Sequence, residues 1–318
     1  MKPLFRMIGI FSEQSQSKER RVRENYATIV RMGFIVGALN GLAVSIQNAI
    51  FKKLKTTDPI IINWFRFGFG AVALAILVPI FNYWSMPSWQ VIAIAGLVTL
   101  PLELFQSQYF VKAYQHSPQS LVGPLFSLTA ILLVPLGYVV NHEIPSLLGF
   151  IGIMSVVIGP FILGMQTSMN PFTSYKNVFK QKGSQYMLIA CFFSALAVTL
   201  TKFAYNYASP LVYAFYVTFF LFIFLSLRLL YQKINPMPFL KESRGELLLV
   251  SGIIYSISIV LHYIGLSLLI SAYYISIKRL STVFDVFFGS YMFNEKHISV
   301  RLLGALSMIV GVALIAIG

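Results

Sequence analysis

Ten long apolar segments constrain the fold of this 318-residue chain more than any other feature of its sequence. Each is close to the roughly 20 residues that a helix needs to cross the hydrocarbon core of a bilayer. Because lipid offers backbone groups no hydrogen-bond partner, continuous apolar segments of this length predict helices. We therefore predict an all-α integral membrane protein with ten transmembrane helices, over 31–51, 59–81, 88–112, 118–140, 146–166, 185–206, 209–231, 246–267, 270–292 and 299–317.

The composition excludes a soluble protein. Hydrophobic residues make up 57% of the chain and charged residues only 11%, whereas a soluble domain carries roughly 25% charged residues. The segments leave no stretch for a separate catalytic domain. We interpret the net charge of +14 as loop charge facing anionic lipid, with no role in nucleic-acid binding. We expect a multi-pass protein of the plasma (bacterial inner) membrane.

The distribution of basic residues gives two opposing indications of orientation. Loops and helix ends after odd-numbered segments carry 13 Lys or Arg residues, and the loops after even-numbered segments carry none. By the positive-inside rule, this contrast places both termini outside the cytoplasm. Residues 1–30 form a polar basic tail, which we expect to be mobile or to lie on the membrane surface, and its charge favours the opposite orientation. Both orientations remain open.

The chain contains an internal repeat. A shift of 152 residues superposes five residue pairs without a gap: Gly137 on Gly289, Glu143 on Glu295, Gly152 on Gly304, Ser155 on Ser307, and Gly159 on Gly311. We predict a first five-helix repeat over 31–166 and a second over 185–318. Because five is odd, the second repeat enters the membrane in the inverted sense, as is typical of alternating-access transporters.

Glycines in this pattern predict close helix packing. Gly152 and Gly159 share one helix face, as do Gly304 and Gly311, and the first segment carries a small-residue ladder at positions 33, 37 and 41. Such faces let helix backbones approach closely in lipid. We interpret them as packing sites within the chain rather than as a dimer interface, and predict a structural role for Glu143 and Glu295 at helix ends.

Each repeat ends in a pattern that resembles the EamA family of the drug/metabolite transporter superfamily: an apolar helix, a glycine, a short loop with a glutamate, and a last helix with two glycines seven residues apart. The region of Arg66 after Asp58-Pro59, and the Lys278-Arg279 pair, are also similar to the family. The resemblance extends over nearly everything after the tail. It implies the ten-helix fold and solute transport, but no particular substrate.

Charged residues within the predicted spans are the most informative about function. A charge at mid-bilayer costs at least about 2.5–3.5 kcal/mol, so it must face a partner or water. Six such residues stand in the spans: the basic Arg66, Lys202, Lys278 and Arg279, and the acidic Glu103 and Asp285. The surplus of two positive charges favours a carboxylate, phosphate or zwitterion as the substrate. For Arg66 and Lys202, which can reach an interface, a structural role is the alternative.

Polar and aromatic residues complete the predicted substrate site. We assign to it nine residues: Asn40, Trp64, Gln106, Tyr255, Tyr263, Tyr274, Lys278, Arg279 and Asp285. Tyrosine suits a small organic solute because it offers an apolar wall with a polar tip. Glu103 is the first candidate for a coupling proton and His262 the second, because each is a titratable group within a span.

We predict a secondary-active or passive transporter of a small anionic or zwitterionic metabolite, such as an amino acid or a nucleotide-like compound. A multidrug exporter of cations, using Glu103 and Asp285, and a flippase of a lipid-linked substrate are the alternatives. We predict no enzyme, cofactor or metal, because no nucleophile elbow, P-loop or metal-ligand spacing occurs and Cys191 stands alone. A monomer and a homodimer both remain open.

Overall fold

The computed structural model describes residues 2–81, 87–117, 122–123, 125–164, 180–242, 244–285, 288 and 298–317, and every regular element among them is helical. The α-helices are α1 (Lys2–Lys53), α2 (Pro59–Ile80), α3 (Trp89–Ala93), α4 (Leu100–His116), α5 (Leu128–Asn141), α6 (Leu147–Gly164), α7 (Lys182–Ala204), α8 (Pro210–Tyr231), α9 (Glu246–Leu268), α10 (Ser271–Lys278) and α11 (Ile298–Ile317). A π-helix (Ile94–Thr99) joins α3 to α4, and a 3₁₀-helix (Met237–Lys241) precedes α9.

Six helical stretches are long and apolar enough to cross a membrane: Ala27–Lys53, Pro59–Ile80, Trp89–His116, Lys182–Ala204, Pro210–Tyr231 and Glu246–Leu268. They coincide with six of the ten predicted segments. Shorter apolar helices occupy Leu128–Asn141, Leu147–Ile158 and Leu306–Ile317. The protein is therefore an integral multi-pass membrane protein, and the number ten stays a prediction.

The first helix is longer than the apolar pattern indicates. α1 begins at Lys2 and ends at Lys53, so the predicted tail over residues 1–30 continues helically into the first span. The third span also departs from a plain α-helix, because a π-helical turn over Ile94–Thr99 precedes Pro101. Proline lacks a backbone N–H and its ring crowds the preceding turn, and wider π turns accommodate such a defect.

The fourth predicted segment of each repeat is interrupted, whereas its apolar pattern is continuous. In the first repeat a turn at 126–127 precedes α5, and in the second a turn at 279–280 follows α10. These turns are 153 residues apart, close to the repeat shift of 152. Discontinuous helices near the midplane are the usual ligand-binding elements of transporters built from repeats.

The two repeats pack against each other reciprocally. The first helix of each contacts the third helix of the other: α1 packs on α9, and α7 packs on α4. The second helices α2 and α8 contact each other, and so do the fifth helices α6 and α11. Each repeat thus completes the helix packing of the other.

Glycines allow the helices to approach closely at several of these contacts. A Cβ atom added to Gly152 would lie 2.6 Å from the carbonyl oxygen of Gly311, and the reciprocal distance is also 2.6 Å. The prediction that these two glycines pack within the chain is confirmed. Gly41 of α1 faces the turn after α10, where an added Cβ atom would lie 3.0 Å from the Lys278 carbonyl oxygen. Gly289 and Glu295 lie outside the described residues.

Candidate functional site

A central cavity lies where the repeats meet, and both contribute to its wall. α1, α2 and α4 supply side chains from the first repeat, and α7, α8, α9 and α10 from the second. Its volume is about 100 Å³, enough to hold water molecules. Eight of the predicted site residues line it: Arg66, Glu103, Gln106, Tyr255, His262, Tyr263, Lys278 and Arg279.

Arg66 reaches the cavity from α2 and is held by its neighbours. Its Nη1 donates to Asn63 Oδ1 at 2.6 Å. The guanidinium carbon lies 5.0 Å from the centre of the Phe51 ring and 4.6 Å from that of Tyr255, within the range of cation–π attraction. Arg66 is buried, and its Nε finds no acceptor among the described residues.

Lys278 and Arg279 stand at the interruption of the ninth predicted segment. α10 ends at Lys278, and the Arg279 backbone N–H donates to the Ile275 carbonyl at 3.1 Å. The Arg279 guanidinium lies 3.8 Å above the Phe126 ring, so the interruptions of the two repeats meet at this contact. Arg279 is buried, and its Nε has no acceptor within the described part of the chain.

Beside Lys278, a chain of polar contacts leads from the cavity into the packed interface between α1, α9 and α10. His262 Nδ1 lies 3.4 Å from Lys278 Nζ and also 3.4 Å from the Tyr274 hydroxyl. Asn40 Nδ2 donates to that hydroxyl at 2.5 Å, and Asn40 Oδ1 accepts from the Ser258 hydroxyl at 2.7 Å. Asn40 and Tyr274 therefore lie behind the cavity wall and orient His262.

Glu103 is the carboxylate of the cavity wall. It lies in the first turn of α4, just after the π-helix. Gln106, one turn later, also lines the cavity. No hydrogen bond joins the Glu103 carboxylate to another side chain in the described ranges, so it faces the cavity and its cations. Thr99 anchors the π-helix by a 2.7 Å hydrogen bond between its hydroxyl and that of Tyr213.

Asp285 does not line the cavity. Its carboxylate accepts hydrogen bonds from the Ser45 hydroxyl at 2.5 Å, from Asn48 Nδ2 at 3.1 Å and from the Tyr114 hydroxyl at 3.4 Å. These donors belong to α1 and α4 of the first repeat. Asp285 follows Lys278 by seven residues, which would place both on one face of a continuous helix, but the turn at 279–280 separates them. Asp285 thus ties the two repeats together behind the cavity.

Lys202 also lies outside the cavity wall. Its ammonium donates to the carbonyls of Leu266 and Leu269, both at 2.6 Å, and lies 3.6 Å from Glu143 Oε1. Glu143 Oε2 accepts from the backbone N–H of Ser271 at 2.9 Å. Lys202 therefore donates to free backbone carbonyls at the end of α9, and Glu143 accepts from a backbone N–H at the start of α10. These contacts agree with the structural roles that the sequence offered for both residues.

Trp64 lies between α2 and α8 and not in the cavity wall. Its Nε1 donates to the Ser226 hydroxyl at 2.9 Å, and its ring centre lies 5.4 Å from that of Phe222.

The cavity also includes small hydroxyl residues that the sequence interpretation did not select: Ser107, Ser194, Thr218 and Ser258. Ser258 was detectable, because it stands three residues after Tyr255 and four before His262 on one helix face.

The family comparison agrees with this architecture. A family model described as the EamA-like transporter family matches the chain twice, over residues 31–165 and 181–317. The chain belongs to the EamA-like transporter family. It is thus a membrane transporter of the drug/metabolite transporter superfamily.

Solved structures share the fold. One, titled only as the crystal structure of a protein, is similar over 92% of this chain and 96% of its own, with a TM-score of 0.60 and 14% sequence identity. At that identity the similarity shows the fold alone. No curated protein matches the sequence.

Proposed function

We propose that this EamA-family transporter moves a small organic anion or zwitterion by alternating access through the central cavity. The charge of the cavity carries the proposal. Among the described residues that line it, three cations, Arg66, Lys278 and Arg279, accompany one carboxylate, that of Glu103. A surplus of two positive charges in a region of low dielectric constant favours an anionic group and opposes a cation.

Hydrogen-bond donors support the same substrate class. Arg66, Arg279 and Gln47 line the cavity, and the donors Arg66 Nε, Arg279 Nε and Gln47 Nε2 are buried without an acceptor among the described residues. A buried donor without an acceptor costs about 1–3 kcal/mol. Carboxylate or phosphate oxygens could accept such donors, whereas an organic cation would add further donors.

The size of the cavity supports a metabolite over a drug. Sites for drug-sized ligands have volumes of about 300–1,000 Å³, and this cavity has about 100 Å³. An amino acid or a compound of similar size requires the least rearrangement. The reciprocal packing of the repeats and their interrupted fourth helices support alternating access, in which one repeat moves against the other around a midplane site.

Ligand-induced stabilisation of the purified protein tests the substrate class. We expect carboxylates or zwitterions to stabilise it by about 2.7 kcal/mol at a concentration one hundred times Kd. Lys278→Gln should remove this response, whereas Lys182→Gln, an exposed lysine at the start of α7, should keep it. Stabilisation by cations alone would refute the charge argument and favour an exporter. A response to lipid-linked compounds alone would favour a flippase.

We infer that Glu103 carries a coupling proton, with His262 as the second candidate. The Glu103 carboxylate faces the cavity, and His262 adjoins Lys278. In proteoliposomes loaded with the solute that the ligand screen identifies, Glu103→Gln should abolish the dependence of uptake on a pH gradient. Glu242→Gln, an exposed carboxylate before α9, is the control. Unchanged pH dependence in Glu103→Gln would exclude the inference.

A further inference from the structure

A second, larger cavity opens where α1 and α4 end and α9 begins. Its volume is about 740 Å³. We call it the vestibule and define it by its basic and imidazole side chains, which are Lys52, Lys53, Lys55, His116 and Arg244. The vestibule lies at the start of α9, whereas the Glu143–Lys202 contact lies at the end of the same helix.

The vestibule is separate from the central cavity. Phe110 lines the central cavity, and Tyr114, one turn later on α4, lines the vestibule. Their ring centres are 5.1 Å apart, and the Phe51 ring packs edge-on against Phe110 at 6.3 Å. Phe51, Phe110 and Tyr114 are all buried. This aromatic layer divides the two spaces, so a ligand of the vestibule makes no contact with Lys278 or Arg279.

Hydrogen bonds between distant segments fix the walls of the vestibule. Arg244 Nη1 donates to the Lys53 carbonyl at 2.8 Å and joins the start of α9 to the end of α1. Gln115 Nε2 donates to the carbonyls of Leu54 and Thr57, at 3.0 and 2.8 Å, and joins the end of α4 to the α1–α2 loop. These bonds therefore fix the relative positions of the backbone segments that bear the basic side chains.

The charges of the vestibule indicate its ligand. Among the described residues of its wall, the cations Lys53, Lys55 and Arg244 outnumber the carboxylate of Glu246. Their mutual repulsion is relieved most by an anion of more than one charge with several acceptor oxygens. Phosphate has this character, since lysine binds it as a point charge and arginine through its planar fork.

We propose that the vestibule binds a phosphate-bearing anion at the membrane surface, at a site distinct from the central cavity. The phosphate belongs either to the headgroup of an anionic lipid or to a free phosphate compound. Both sources share the chemistry that the cations recognise, and anionic lipid surfaces attract clusters of basic residues next to membrane spans. The site rests on its own residues and not on the substrate proposed for the central cavity.

The test compares thermal unfolding of the full chain with two probes. Inorganic phosphate is titrated at constant ionic strength in neutral detergent, and nanodiscs containing phosphatidylglycerol are compared with nanodiscs of phosphatidylcholine alone. We expect one probe to raise the unfolding midpoint of the wild type by about 5 °C near saturation. A response to phosphate indicates a free phosphate compound, and a response to phosphatidylglycerol alone indicates a lipid headgroup.

Matched double variants locate the response. Lys53→Gln/Lys55→Gln should lose at least half of the shift, whereas Lys233→Gln/Lys241→Gln should keep it, because these two exposed lysines lie between α8 and α9 outside the vestibule wall. Lys278→Gln should also keep it. Equal shifts in both double variants, loss of the shift in Lys278→Gln, or no shift with either probe would overturn the proposal. Because the central cavity can also accept phosphate oxygens, the Lys278→Gln variant separates binding there from binding in the vestibule.

Discussion

Replacing Lys202 by methionine tests whether this intramembrane charge is structural. Methionine keeps an unbranched side chain of similar length but removes the ammonium. In the native chain that ammonium donates to the carbonyls of Leu266 and Leu269, both at 2.6 Å, and lies 3.6 Å from Glu143 Oε1. The variant therefore leaves the last carbonyls of α9 without a side-chain donor and leaves Glu143 without its cation.

The contacts of Lys202 set the expected loss of stability. Hydrogen bonds to charged groups contribute about 1.5–3 kcal/mol each. Because the Lys202 side chain is 20% exposed, water can replace part of this bonding in the variant. We therefore take about 1.5 kcal/mol for each of the two bonds. A partly exposed ion pair adds about 0.5–1 kcal/mol. We expect Lys202→Met to lower the free energy of unfolding by about 3.5–4 kcal/mol.

A double-mutant cycle in detergent separates these contributions. Unfolding by denaturant is measured for the wild type, Lys202→Met, Glu143→Gln and the double variant, with Lys182→Met as an exposed control on the same helix. We expect a coupling energy of about 1 kcal/mol or less, since the carbonyl bonds dominate. A loss below about 1 kcal/mol in Lys202→Met would refute the bonding argument. A coupling above about 2 kcal/mol would show that the ion pair dominates.

Two further substitutions test the packing of the repeats and the placement of a predicted site residue. Gly152→Ala should lower the free energy of unfolding by about 1–3 kcal/mol, because its Cβ atom would lie 2.6 Å from the Gly311 carbonyl oxygen. Gly96→Ala, whose Cβ atom would lie 3.5 Å from the Phe220 ring, should change it by less; equal losses would contradict this packing. Trp64→Phe should lower the free energy of unfolding by about 1 kcal/mol, because it removes the hydrogen bond to Ser226. Ligand-induced stabilisation should stay unchanged, and its loss would show that Trp64 belongs to the substrate site.

Local sequence patterns predicted the spans and the charges within them. Arg66, Glu103, Lys278 and Arg279 were recognisable because a charge inside an apolar segment is costly at any position. His262, Tyr255 and Tyr263 were recognisable as polar groups on one predicted helix. All seven line the same cavity. For these residues the argument needed only hydropathy and helical spacing, which are properties of neighbouring residues.

The sequence by itself determined that this chain is a membrane protein with two related halves, because the length of the apolar segments and the spacing of the repeated residues are local properties of the sequence. Only the tertiary structure decided which charges share a cavity. Lys202 and Asp285 carry charges as costly as that of Lys278, yet carbonyl groups and α1 side chains satisfy them elsewhere. The interruptions at 126–127 and 279–280 were equally hidden, because a continuous apolar pattern does not record which helices meet or where their backbones must turn.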